Sequence, residues 1–151
     1  MLRLRGAQSA DVPTIIQLIR ELADYEKLSA DMVGREADLR EHLFGAQRYA
    51  WATMAEWDGA VAGFALYFFN YSTFRCRPGL YLEDLFVRPQ YRGHGVGHAL
   101  LSHVEGLARE RGCARLEWAV LDWNQPAIDF YQRFGARPNS GWTLYRKALQ
   151  V

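Results

Sequence analysis

Cysteine is scarce. The 151 residues hold two, Cys76 and Cys113, and no C-x-x-C or Cys/His ligand spacing exists, so no structural zinc site and no resident metal are expected. A disulfide stays open on sequence alone, but a chain of this length buries a core without one. Excess charge is missing too: 18 Lys and Arg against 17 Asp and Glu leave a net +1. That gives no broad field to steer the chain to nucleic acid or to an anionic membrane, and neither partner is expected. No apolar run reaches membrane-span length, and the opening MLRLRGAQSADVP lacks the apolar stretch of a signal peptide. A reducing cytoplasm is the expected setting. Internal repeats, low-complexity tracts and linkers are absent, so residues 1–151 are expected to form one domain.

What is present reads as alternating strands and helices. Leu2-Arg3-Leu4-Arg5 alternates and predicts a short edge strand. Ser9 or Asp11 caps a helix with Pro13 in its first turn, and Ile15, Ile16, Ile19, Leu22 and Ala23 give it an apolar stripe to about Leu28. A less regular helix follows over Gly34 to Phe44. Arg48 to Glu56 and Ala60 to Asn70 predict two strands joined at Asp58-Gly59, a strong hairpin signal. The second of them is nearly all apolar and should be central. Tyr71 to Gly79 reads as a loop, Ala114 to Leu121 as a strand, Asn124 to Gly135 as a capped helix, and Gly141 to Ala148 as a final strand.

Leu80 to Gly112 organises the rest. An apolar strand, Leu80 to Val87, carries Glu83 and Asp84. Pro89 and three glycines at every second position, Gly93, Gly95 and Gly97, follow. From Gly97 apolar residues recur at helical spacing, and Gly112 is placed to end that helix. Strand, glycine loop and helix together suit an anion: glycines let backbone approach a ligand, and the first helical turn offers unpaired N–H groups and a favourable dipole. Neither the Walker A pattern nor G-x-G-x-x-G is present. Taken alone, the glycines could equally serve a tight turn. Basic residues gather as Arg75, Arg77, Arg88 and Arg92, of which those beside the loop are candidates for phosphate.

Arg92-Gly93-His94-Gly95-Val96-Gly97 resembles the R/Q-x-x-G-x-G/A acetyl-CoA signature of the GCN5-related N-acetyltransferases (GNAT). Trp123 to Ala136 is similar to that family's N-x-x-A-x-x-F-Y-x-x-x-G landmark. Tyr81-Leu82-Glu83-Asp84 and Leu18 to Glu26 resemble its diamine branch, the spermidine/spermine and thialysine N-acetyltransferases. The resemblance runs from about Leu4 to Leu149. It implies an α/β fold with a mixed, mostly antiparallel sheet, helices on both faces and a strand–glycine loop–helix cofactor site. It also implies a homodimer, and acetyl-CoA-dependent N-acetylation of a small primary amine such as a polyamine or thialysine. Another acceptor (an amino acid, an aminoglycoside or a protein lysine) stays open, as does a non-catalytic acyl-CoA-binding module.

Moving acetyl from a thioester to an amine needs a base for an ammonium whose pKa is about 10, alignment of the reactants, a donor to the carbonyl oxygen and a proton for the leaving thiolate. The resemblance implies that Glu83 draws the amine proton, directly or through water, and that Tyr131 gives its phenolic proton to the thiolate. Leu85, Phe86 and Val87 would supply backbone to the carbonyl and the pantetheine arm. Arg92, Gly93, His94, Gly95, Val96, Gly97 and His98 would take the pyrophosphate. Asn124, Pro126 and Ala127, with Tyr131, would bind the cofactor from the other side. Tyr25 and Glu26 would touch the amine. Regular strand alternation puts Glu83 with Tyr81, Leu85 and Val87 and sends Asp84 to the opposite face. Asp84 is therefore expected to be structural or a second contact to the amine. The histidines, His94, His98 and His103 among them, are expected to face solvent or to support other residues.

Overall fold

Asp58 and Gly59 both take positive φ, 49° and 85°, the conformation of a tight hairpin turn that matches strand twist. They join β2 (Trp51–Trp57) to β3 (Ala60–Ser72). β1 (Leu2–Gly6) pairs with β2, β4 (Arg77–Val87) with β3, and β5 (Leu116–Glu117) with β4, giving the order β1-β2-β3-β4-β5. Three of these pairings are antiparallel. The β4–β5 pairing is parallel because the chain returns through a crossover helix. The remaining helices are α1 (Val12–Tyr25), α2 (Glu36–Phe44), the crossover α3 (Val96–Glu110) and α4 (Gln125–Arg133). This computed structural model describes all 151 residues, in two units, Met1–Ala119 and Val120–Val151.

The first unit holds the sheet, and both of its faces are buried. Ala52 and Met54 of β2, Phe64 and Leu66 of β3 and Phe86 of β4 pack with Ile15, Leu18 and Leu22 of α1 and Leu43 of α2. Thr53, Ala55, Ala65, Tyr67, Leu80 and Leu82 alternate with that set and are buried as well. α3 packs on β3 and β4 with Val96, Leu100, Leu101, Val104 and Ala108 buried. Helices thus cover both faces, as expected. Gly63 lies close against β4, since a Cβ there would lie 2.3 Å from the Phe86 carbonyl oxygen.

The strand pattern departs from simple alternation at the point that bears on chemistry. Leu66 pairs with Asp84 and Tyr67 with Leu82, so Glu83 is an extra residue, a β-bulge. Pairing then fixes the faces. Phe64, Leu66 and Phe68 share one side of β3, and their partners are Phe86, Asp84 and Tyr81. Tyr81 therefore lies on the face of Asp84 and Phe86, which corrects the alternation that grouped it with Leu85 and Val87. A bulge cannot be read from periodicity, because one inserted residue changes no side-chain type.

Boundaries differ elsewhere for local reasons. α1 stops at Tyr25 because Lys27 takes φ 62°, with Leu28 N donating to Ala23 O and Lys27 N to Asp24 O. That is the left-handed helix ending normally made by glycine. β4 begins at Arg77, which shortens the expected loop to a tight connection after Ser72. The strand expected over Ala114 to Leu121 pairs only at Leu116 and Glu117. In the second unit α4 ends at Arg133, and Gly135 just beyond it takes φ 98°. The expected strand Gly141 to Ala148 is irregular, with Trp142, Leu144 and Tyr145 exposed. A strand exists only where a partner edge completes its ladder, and this segment pairs with none.

Candidate active site

The ending of α1 and the bulge of β4 place three carboxylates together. Glu26 caps α1, and its position is fixed by the left-handed turn that follows. Asp84 and Glu26 both line a cavity of about 170 Å³. Its wall is aliphatic, with Ile19, Leu22, Ala23, Leu28 and Met32, and Asp31 adds a third acid. Glu83 is exposed, yet its charge reaches both neighbours. Burial, and then the charges of Glu83 and Glu26, push the Asp84 carboxyl up to about 7. Burial, and then Glu83, also raise Glu26 above the ordinary carboxylate range. The charges of Glu83 and Asp84 therefore act on one another, where simple alternation was expected to separate the two side chains. The bulge is the physical reason. Sequence reasoning left Asp31 out, and no local signal marks it: it follows α1 in a short turn that only folding brings to the cavity.

Such a pocket suits an alkylammonium. Aliphatic walls accept methylenes, and a group of like charges is relieved by a cation. Asp84 near neutrality is also able to exchange a proton at physiological pH.

Beyond Val87 the chain turns through Pro89–Tyr91 into the glycine loop. Gly93 and Gly95 take φ 80° and 83°, which side chains rarely adopt, and a Cβ at either would meet nothing within 4 Å. The loop is an open cradle of backbone. Gly95 is the N-cap of α3, with no side-chain cap and no acidic residue in the first turn, so the helical N–H groups and dipole face an anion without competition. These features fit a pyrophosphate. The His94 ring lies 5.2 Å from that of Trp57, tilted by 39°, while His98 is exposed and lies 3.5 Å from the Ser102 hydroxyl through Nδ1.

The two arginines beside the loop, expected as candidates for phosphate, have protein partners in this structure. Arg88 donates to Glu21 at 3.0 and 3.1 Å and to Val61 O at 3.2 Å. Arg92 donates through Nε to Val87 O at 2.8 Å, and its guanidinium lies over the rings of Tyr25 (5.1 Å) and Phe86 (5.5 Å). Leu85, Phe86 and Val87 pair with Ala65, Phe64 and Gly63 along one edge of β4. On the other edge, pairing with β5 ends at Tyr81.

In the second unit Asn124 is buried and caps α4, with its Oδ1 accepting from Ala127 N at 3.4 Å and Pro126 in the first turn. Tyr131 lies on α4, half-buried, with the Phe130 ring 5.5 Å away. Asn124, Pro126, Ala127 and Tyr131 thus share one capped helix. Tyr25, Glu26, Glu83, Asp84 and Arg92 gather at the α1–β4 end of the first unit. No group of three or more His, Cys, Asp or Glu side chains is arranged to hold a metal ion, and no helix is long and apolar enough to cross a membrane.

A backbone cradle suited to an anion thus follows the strand that carries Glu83 and Asp84. Residues 16–136 match the Acetyltransferase (GNAT) family. The chain is 40% identical to a thialysine N-epsilon-acetyltransferase of Bos taurus, over 95% of this chain and 90% of that protein. It is 31% identical to an L-ornithine N5-acetyltransferase of Arabidopsis thaliana, over 95% and 83% respectively. A possible acetyltransferase from Clostridium difficile 630 shares the fold with a TM-score of 0.85 at 18% identity, covering 100% of this chain and 99% of that one. The chain belongs to the GNAT family and is an N-acetyltransferase.

Proposed function

We propose that this protein transfers acetyl from acetyl-CoA directly to a small primary amine of the polyamine or thialysine type. The observation that carries the reading is the aliphatic cavity lined by Glu26 and Asp84, with the charge of Glu83 acting on both, beside the strand that runs into the glycine loop. The similarity to acetyltransferases named for thialysine and ornithine supports the same class of acceptor. The whole chain is read as one N-acetyltransferase domain.

Acetyl-CoA, when bound, supplies the acyl thioester. The loop Arg92 to His98 holds its pyrophosphate through backbone N–H groups, and Asn124, Pro126 and Ala127 hold its arm. Glu26 and Asp84, with Tyr25, bind the cationic acceptor. Glu83 takes the proton that the ammonium must lose before its nitrogen can attack. A C–N bond forms at the acetyl carbon and the C–S bond breaks. Backbone N–H of Leu85 to Val87 steadies the carbonyl oxygen, and Tyr131 gives its phenolic proton to the sulfur. Asp84 is a second candidate for the proton acceptor, because its carboxyl is held near 7. A kcat profile that keeps its acid limb in Glu83→Gln assigns the role to Asp84; loss of that limb assigns it to Glu83.

A homodimer in the cytoplasm, without nucleic-acid or membrane partners, belongs to the same proposal. The net charge of +1 supports the lack of nucleic-acid and membrane partners and the two free cysteines suit a reducing compartment, while the dimer rests on the family resemblance and is tested by size-exclusion chromatography with light scattering. The function itself is tested by free-thiol release from acetyl-CoA with spermidine, spermine, putrescine, thialysine, ornithine, lysine, an aminoglycoside and a lysine peptide. Saturable turnover on the small amines is expected. Turnover confined to the aminoglycoside or the peptide overturns the acceptor assignment, and CoA binding without turnover on any acceptor leaves a binding module.

A further inference from the structure

Four side chains tie the cofactor loop to the acceptor end of α1. Glu21 and Tyr25 are four residues apart on α1, so they present to the same side of that helix. Arg88 and Arg92 flank the Pro89–Tyr91 turn in the β4–α3 connection. Arg88 grips Glu21 through two nitrogens at 3.0 and 3.1 Å, an ion pair shielded on both sides. Arg92 lies over the Tyr25 ring while its Nε is fixed on Val87 O. Each arginine is also anchored to sheet backbone, at Val61 O and Val87 O. The glycine cradle starts one residue after Arg92, and Glu26 of the acid cluster comes one residue after Tyr25. Movement of the loop therefore bears on Glu26 through one stacked pair.

We propose that Tyr25 is a positioning residue whose ring, under Arg92 and beside the Arg88–Glu21 pair, couples occupancy of the glycine loop to occupancy of the acid cluster. The proposal rests on the acetyl-transfer reading above. It assigns Tyr25 a task different from contact with the amine through its hydroxyl. Reciprocity supplies an internal check: if the donor tightens the acceptor, the acceptor tightens the donor by the same factor.

The test uses CoA and spermidine, a pair that cannot react. Isothermal titration of each, with and without a saturating amount of the other, gives a coupling of about fivefold in both directions in the unaltered protein. Tyr25→Leu brings the factor below about twofold. Tyr25→Phe keeps it, because the ring carries the contact with Arg92. Glu21→Gln weakens it in part. A stability role alone would lower Tm in these variants without separating Phe from Leu. An undiminished factor in Tyr25→Leu, or a factor of one in the unaltered protein, overturns the proposal.

Hydrogen exchange with CoA alone makes the test independent of the amine. CoA is expected to slow exchange at residues 21–26 in the unaltered protein and not in Tyr25→Leu, with protection at 93–97 in both. Absence of that slowing overturns the coupling even where the turnover assay finds an acetyltransferase. Absence of CoA binding overturns the acetyl-transfer reading and the coupling together.

Discussion

The glycine loop and the acid cluster solve recognition by opposite means. Between Gly93 and Gly97 the chain removes side chains and offers backbone, so the site depends on φ values that glycine alone takes easily. Between Glu26 and Asp84 it adds side chains whose charges oppose one another, so the site depends on a cavity and a bulge that bring them near. The first arrangement is local, and needs only a strand before it and a helix after it. The second draws on α1, the turn behind it and β4, which lie about sixty residues apart in the chain. A backbone cradle recognises a phosphate whatever it carries. A side-chain cluster can be retuned residue by residue, and in it acceptor choice is expected to lie.

Experiments that treat the regions separately can break this contrast. The largest effect is expected outside both, on α4. Tyr131→Phe should lower kcat by about a hundredfold while acetyl-CoA affinity stays within about twofold, read by thiol release and titration. A matched loss of both would remove the acid role. Gly95→Val forces a β-branched residue to positive φ and should weaken acetyl-CoA binding by roughly tenfold or more, with the pH behaviour of Asp84 untouched.

Asp84→Asn tests the other region through stability. The folded-state carboxyl titrates near 7 and the unfolded one near 4, so the native state binds the extra proton between them. Stability from this group is full below about pH 4, falls as pH rises to about 7 and is then constant. Asp84→Asn should therefore raise Tm at pH 8 by about 4 °C and leave it unchanged at pH 4, by calorimetry. The same gain at both pH values would mean that charge is not the cause. Glu83→Gln removes one of the repelling charges, and a carbon-detected titration should find Asp84 lower, still above its ordinary range because burial is the larger cause. The smallest effect is expected for Trp57→Leu, which frees His94 and should cost about twofold in CoA affinity, a contact at the loop rim.

The loop was readable because its signal is local. Gly93, Gly95 and Gly112 punctuate a strand and a helix, and the structure places positive φ at all three. The hairpin at Asp58-Gly59, the Asn124 cap and the glycine turn at Gly135 just after α4 were readable for the same reason. Lys27 shows the limit: it takes the left-handed position that glycine usually marks, so the end of α1 came three residues earlier than its apolar stripe suggested. Glu83 and Asp84 were readable as acids in an apolar strand, but not as charges that act on one another. Arg88 and Arg92 were readable as cations, but not as partners of Glu21 and Tyr25.

Sequence by itself determined the order of elements as far as α4, the glycine turn into α3 and the residue types available for acid–base work. These follow from backbone preference and side-chain chemistry within a few residues. Only the tertiary structure decided which carboxylates repel one another, which of them is held near neutrality and what the arginines grip. Those properties come from burial and from the distance between charges, and both are set when α1 packs across β4 at its bulge.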